Sequence, residues 1–190
     1  MIKKSRFKDY FKTLDENESK LVLENISLLV EENKEYADNN NYEHLCNLFS
    51  SLALVKTKVS LGLSKVESEK LVFDAMYAYL EPQVGKMQKL AKHKWFVPML
   101  KKLMPIKFKH TLGHGWNVEF PEAPKTKFCM ITHACIYHQI FTKYGYPEMT
   151  CGFCKVDDML YSALPHTKFS YYERLGEGGS FCDYSYERID

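Results

Sequence analysis

The stretch FSYYERLGEGGSFCDYSY, residues 169–186, decides the fold class of this chain. Its two ends, Phe169-Ser-Tyr-Tyr and Phe181-Cys-Asp-Tyr-Ser-Tyr186, are rich in aromatic residues and predict two β-strands. The glycines between them, Gly176, Gly178 and Gly179, supply turn conformations that cost other residues free energy. The stretch therefore predicts an antiparallel hairpin near the C-terminus.

Upstream of this hairpin the pattern alternates between strand and helix. Trp116-Asn-Val-Glu-Phe120 alternates apolar and polar residues before Pro121, which predicts a half-buried strand. The segment from Phe128 to Tyr144 is long enough for a helix and is predicted as one. A further helical segment is expected from Pro147 through Leu164, at least in its second half.

The N-terminal half has helical spacing throughout. One helix is expected around residues 21–30, a second over about 43–61, and a third from Ser64, where Ser64-Lys-Val-Glu67 fits a capping box. Pro82 is expected to interrupt this third helix, and Pro105 to end the segment that follows it. The predicted fold class is α+β, with a helical N-terminal half packed on a small antiparallel sheet and one or two further helices in the C-terminal half. Residues 1–105 form the helical region and residues 106–190 the mixed region of one compact unit.

Composition excludes several classes of partner. Lys plus Arg (26) nearly balances Asp plus Glu (24), so no global field favours nucleic acid or an anionic membrane. No stretch reaches the roughly 20 apolar residues needed to span a bilayer, and no apolar segment of signal-peptide length follows the basic N-terminus. We therefore expect a cytoplasmic protein whose six cysteines stay reduced, without a disulfide framework.

Five sequence features occur in an order that resembles a known family. They are Cys135, Tyr144-Gly-Tyr-Pro-Glu148, Cys154-Lys-Val-Asp157, Phe169, and Gly178-Gly-Ser-Phe-Cys182-Asp183-Tyr-Ser-Tyr186. This succession resembles the L-2-amino-thiazoline-4-carboxylic acid hydrolase family, best over about residues 115 to 188. The resemblance implies a hydrolase-like α+β protein that acts on a small cyclic amidine. In the namesake reaction a 2-amino-thiazoline ring is opened to N-carbamoyl-cysteine.

This chemistry needs a nucleophile and a proton donor, which cysteine and aspartate can supply. Cys154, expected just ahead of a helix, is a candidate nucleophile, and Asp157 three residues on would share its helical face as base or proton shuttle. Successive strand residues point to opposite faces, and we expect Cys182 rather than Asp183 to face the site. The candidate catalytic residues are therefore Cys154, Asp157 and Cys182. The candidate substrate contacts are Cys135, Glu148, Asp183, Arg174 and His133, and no metal or cofactor is expected.

Two alternatives remain open at the level of sequence. The many C-terminal aromatics could line the cavity of a non-catalytic small-molecule sensor. Alternatively, Cys151-Gly-Phe-Cys154 is a half-site for zinc, which Cys129 and His133, four residues apart on the predicted helix, could complete. Loss of turnover with binding retained in cysteine variants would favour the enzyme, and bound metal would favour the zinc protein.

Overall fold

In the computed structural model, which describes residues 1–189, helices fill most of the chain up to residue 109 and strands occur only after it. The helices are α1 (Lys8–Phe11), α2 (Glu16–Glu32), α3 (Tyr42–Ser60), α4 (Lys65–Ala91), α5 (Phe96–Lys109), α6 (Ile136–Lys143) and α7 (Glu148–Tyr161). The strands are β1 (Asn117–Glu119), β2 (Lys127–Ala134), β3 (Thr167–Ser170) and β4 (Cys182–Arg188). The predicted α+β fold class is confirmed. None of the helices in the described residues is both long and apolar enough to cross a membrane.

The chain divides into two compact units, Met1–Leu80 and a second that begins at Glu81. The boundary predicted near residue 105 lies inside α5, and the division into two regions there stays a prediction. In the first unit, α2 and α3 pack together, and α3 is buried continuously over residues 45–55. The capping box at the start of α4 is confirmed, because Glu67 N–H donates to Ser64 Oγ at 3.2 Å and Ser64 N–H donates to Glu67 Oε2 at 3.1 Å.

The second unit is built on a four-stranded antiparallel sheet of order β1-β2-β4-β3. Strands β2 and β4 form its centre, and the register places Met130 opposite Tyr184 and Thr132 opposite Cys182. Opposed residues share a face of the sheet. Helix α5 packs on β2 and β4, and the core includes Phe96, Val97, Leu100, Phe128, Leu164, Cys182, Tyr184 and Tyr186.

The helix predicted from Phe128 to Tyr144 is wrong in its first half. Residues 127–134 form β2, and only residues 136–143 form a helix, α6. A short apolar run does not distinguish strand from helix by periodicity alone. The pairing partner that decides between them, β4, lies about fifty residues further along the chain.

The two proline predictions are also wrong. Pro82 lies inside α4 and Pro105 inside α5, so neither ends a helix. A proline inside a helix costs about 3 kcal/mol through its missing N–H and its clash with the preceding turn. Packing of the surrounding helix offsets that cost, as Leu80 and Leu100 near these positions are buried.

Candidate functional site

Strand β4 presents a sulfur atom to the interior at its first residue. Cys182, Tyr184 and Tyr186 are buried on one face, whereas Asp183 and Ser185 are only half-buried on the other. Only 5% of the surface of Cys182 is exposed. Cys182 rather than Asp183 therefore points into the interior, and its place in a functional site stays a prediction.

Helix α7 brings the second sulfur to Cys182. Cys154 lies in the middle of α7, so the expectation that it precedes a helix is wrong, and the helix N-terminus does not act on its thiol. The Cys154 and Cys182 thiols lie within hydrogen-bonding reach of each other, and their interaction shifts the pKa values of both in opposite directions. Asp157 lies three residues on, close enough to act electrostatically on Cys154.

A third sulfur approaches from the start of α6. Cys135 is the N-cap residue of this helix, and its electrostatic neighbours include Cys182 and Asp157. Cys135, Cys154, Asp157 and Cys182 therefore form one group, which we call the thiol–acid cluster. Cys182 is buried, and the other three members are half-buried.

The three thiols of the cluster are electrostatically unequal. The hydrogen bond from Cys154 lowers the pKa of Cys182 to about 7, and although burial opposes this, the Leu175 N–H, the Tyr184 hydroxyl and the charge of Arg174 support it. The same hydrogen bond, together with burial, raises the pKa of Cys154, which keeps its proton. The directions of the two shifts favour Cys182 as the thiolate of the pair and Cys154 as the protonated partner.

The third thiol and the tyrosine beside Cys182 stay protonated. Burial raises the pKa of Cys135 to about 12, although the nearby N–H groups of His138 and Tyr137 oppose this. Burial also raises the pKa of Tyr184, whose hydroxyl therefore retains a proton to donate to Cys182. The Leu175 N–H donates to Cys182 Sγ at 3.3 Å.

Four of the predicted substrate contacts lie outside the thiol–acid cluster. Glu148 is exposed at the start of α7, and His133 is exposed on β2 with its Nε2 3.4 Å from Glu119 Oε1. Asp183 accepts from the N–H groups of Tyr172 and Glu173 at 2.7 and 2.9 Å, which ties the 171–181 loop to β4.

Arg174, the fourth, is fully buried and forms a bidentate pair with Asp158. Substrate contact by any of these four residues stays a prediction.

The described residues lack the geometry that the zinc alternative requires. Cys129 and His133 lie on a strand, where residues four apart are separated by about 13 Å, not on one helical face. Within residues 1–189, no group of three or more His, Cys, Asp or Glu side chains could hold a metal ion. Cys151 and Cys154 lie one turn apart on α7.

Three groups at the site were missed by sequence reasoning. Tyr184 is one of many aromatics in the sequence, and the available signal is its i, i+2 spacing from Cys182, which places both on one face of a strand. Leu175 acts through its backbone N–H, for which a sequence carries no signal. Nothing local to Asp158 in the sequence indicates its partner, Arg174, sixteen residues away.

Comparison with known proteins gives one match. The family model of the L-2-amino-thiazoline-4-carboxylic acid hydrolases matches residues 40–186, which is most of the chain and includes every member of the thiol–acid cluster. No curated protein and no solved structure matches the chain.

Proposed function

Because the chain belongs to the L-2-amino-thiazoline-4-carboxylic acid hydrolase family, we propose that it is a hydrolase-like enzyme that opens a small cyclic amidine of the thiazoline type. The observation that carries this proposal is the hydrogen-bonded Cys154–Cys182 pair, in which one sulfur is poised as thiolate and the other as proton donor. Adding water to an amidine carbon by covalent catalysis needs both groups side by side.

In the proposed first step, the Cys182 thiolate attacks the carbon between sulfur and nitrogen in the ring. A new C–S bond to Cys182 forms, the ring C–S bond breaks, and the departing sulfur takes the proton of Cys154. The product of this step is an isothiourea in which the whole substrate is attached to Cys182. No fragment leaves, because the broken bond was part of a ring.

In the proposed second step, water attacks the same carbon with Asp157 accepting one of its protons. The C–S bond to Cys182 then breaks and the sulfur leaves as thiolate. The proton that remains on the added oxygen moves to the amidine nitrogen, so the carbon becomes the carbonyl of a urea. The proton held by Asp157 returns to Cys154. The sum of the two steps is substrate plus water giving the N-carbamoyl amino thiol, as in the family's namesake reaction.

Cys135 is proposed as the substrate contact within the thiol–acid cluster. Its pKa of about 12 keeps it uncharged at neutral pH, so it can donate a hydrogen bond without competing as a nucleophile. All six cysteines are free. We propose that the protein works in the cytoplasm, where such thiols stay reduced, and that its partner is the small-molecule substrate.

The test is turnover of L-2-amino-thiazoline-4-carboxylate, followed by mass spectrometry of the N-carbamoyl-cysteine formed. We expect Cys182→Ser and Asp157→Asn to abolish product. Cys129→Ser is the matched control, since Cys129 lies on β2 three residues before Thr132, the partner of Cys182 in the register, and so on the other face of the sheet. Wild-type protein quenched with acid should carry the full substrate mass on the Cys182 peptide.

Two outcomes count against the proposal. In the first, the wild type binds the substrate without turning it over, and the Cys182→Ser variant binds it as well. The chain is then a sensor and not an enzyme. If Cys182→Ser retains full turnover, the thiolate mechanism is wrong.

A further inference from the structure

Arg174 is the largest fully buried side chain among the described residues, and it carries a charge. Its Nη1 and Nη2 atoms donate to Asp158 Oδ2 and Oδ1 at 2.7 and 2.6 Å, and Glu177 lies further away at 3.6 Å. Its Nε is buried without a hydrogen-bond partner in residues 1–189. Burying a guanidinium group costs substantial desolvation free energy, so the position of Arg174 calls for a structural reason.

The backbone of Arg174 organises the loop that faces Cys182. The Arg174 carbonyl accepts from Glu177 N–H at 3.0 Å and from Gly179 N–H at 2.9 Å. The very next N–H, that of Leu175, donates to Cys182 Sγ. The side chain of Arg174 is thus tied to α7 through Asp158, while the following peptide directs a donor at the sulfur.

The guanidinium group also contacts the second donor to Cys182. Its central carbon lies 3.5 Å from the ring centre of Tyr171 and 5.3 Å from that of Tyr184. Tyr184 supplies the hydroxyl hydrogen bond to the sulfur. Both donors therefore lie next to the Arg174–Asp158 pair.

We propose that Arg174 and Asp158 are positioning residues whose ion pair holds the 174–175 peptide so that the Leu175 N–H points at Cys182. The inference rests on the proposed function in taking Cys182 as the reactive thiol. It explains why Asp158, one turn beyond Cys154 on α7, pairs with a loop residue: the pair links the helix that carries the proton donor to the loop that carries the N–H donor.

The inference can be tested by the direction in which the pKa of Cys182 shifts, because charge and positioning predict opposite directions. The groups that act on Cys182 are Cys154 from α7, Cys135 from the start of α6, Tyr184 from β4 and Arg174 from the loop. Asp157 from α7 acts on Cys154 and Tyr184. Asp158→Asn removes a negative charge beside Arg174. By charge alone this change would favour the Cys182 thiolate and lower its pKa. If the pair acts by positioning, the Leu175 hydrogen bond weakens and the pKa rises.

The experiment measures the rate of iodoacetamide labelling of Cys182 against pH, by peptide mass spectrometry on the full chain. We expect Asp158→Asn to raise the midpoint by about one pH unit or more, the loss expected for a hydrogen bond to a charged group. Asp74→Asn is the matched control, because Asp74 also pairs with a cation, Lys70, but on an exposed surface. Its midpoint should equal that of the wild type.

Arg174→Lys is the second variant. It keeps the positive charge but loses the planar fork, so positioning predicts a raised midpoint and a charge effect predicts none. Should neither variant fold, hydrogen exchange of the wild-type Leu175 amide gives the answer. Beyond the intrinsic dependence of exchange on pH, protection should be greater at pH 8 than at pH 5, where Cys182 is protonated.

The outcomes separate this inference from the proposed function. A midpoint lowered or unchanged in both folded variants overturns the positioning role, as does a Leu175 amide with equal protection at both pH values. A wild-type Cys182 that is not labelled at any pH counts instead against the proposed function.

Discussion

Replacing Gly176 by alanine tests how closely the loop approaches α7. A Cβ atom there would lie 2.9 Å from Cys151 N, 3.0 Å from Thr150 C and 3.1 Å from Cys151 Cα. All three atoms belong to the helix backbone, so no side chain can rotate out of the way. Either the loop or α7 must shift.

The expected cost follows from that geometry. Overpacking costs about 1–3 kcal/mol, and reduced freedom of the unfolded chain returns about 0.4–1 kcal/mol of that. We expect Gly176→Ala to lower the free energy of unfolding by about 1–2 kcal/mol. For a chain of this size, this loss corresponds to a melting temperature that is lower by about 2–8 °C. Displacement of the adjacent Leu175 N–H should also raise the midpoint of Cys182 labelling.

The matched control is Gly85→Ala in α4. No atom lies within 4 Å of the Cβ it would add, and both glycines belong to the second compact unit. Alanine in a helix is favoured over glycine by about 0.5–1 kcal/mol, so this variant should be more stable than the wild type. Circular dichroism during thermal and urea unfolding measures both. The reasoning is refuted if Gly176→Ala is stabilised as Gly85→Ala is.

Three further changes have defined outcomes. Cys154→Ala removes the S–H donor to Cys182, so the labelling midpoint of Cys182 should move above its value of about 7; an unchanged midpoint would show that the donor is unimportant. Ser64→Ala should lower the unfolding free energy by about 0.5–2 kcal/mol through loss of the α4 cap, measured by urea unfolding. Asp183→Ala leaves two loop N–H groups without their acceptor and should cost about 1–3 kcal/mol; increased proteolysis of the 171–181 loop would report the same loss, and equal proteolysis would contradict it.

Much of the fold was predictable because its information is local. The periodicity of α2 and α3 and the cap at Ser64 depend on residues within a few positions of each other. The hairpin of β3 and β4 follows from aromatic alternation around glycines. Strand β2 is not predictable from local sequence because its identity depends on a distant partner strand. The continuous helices through Pro82 and Pro105 are not predictable because packing outweighs the tendency of proline to end a helix.

The candidate site also has a part that was predictable from the sequence and a part that was not. The family pattern selected Cys154, Asp157 and Cys182, which the fold brings together although Cys182 is far from α7 in sequence. The unequal pKa values of the two thiols were not predictable, because they depend on a backbone N–H and on which sulfur donates. The Arg174–Asp158 pair is likewise a product of tertiary structure.

The alternation along β4 has a consequence for how this protein tolerates insertions. Since Cys182 points inward and Asp183 outward, a slip of β4 by a single residue against β2 would exchange a sulfur for a carboxylate in the interior. An extra residue at the tip of the glycine turn would leave Cys182 pointing inward. An extra residue between positions 182 and 186 would turn the side chains on one side of it to the opposite face of the sheet. Evolutionary or engineered length changes should therefore be confined to the turn.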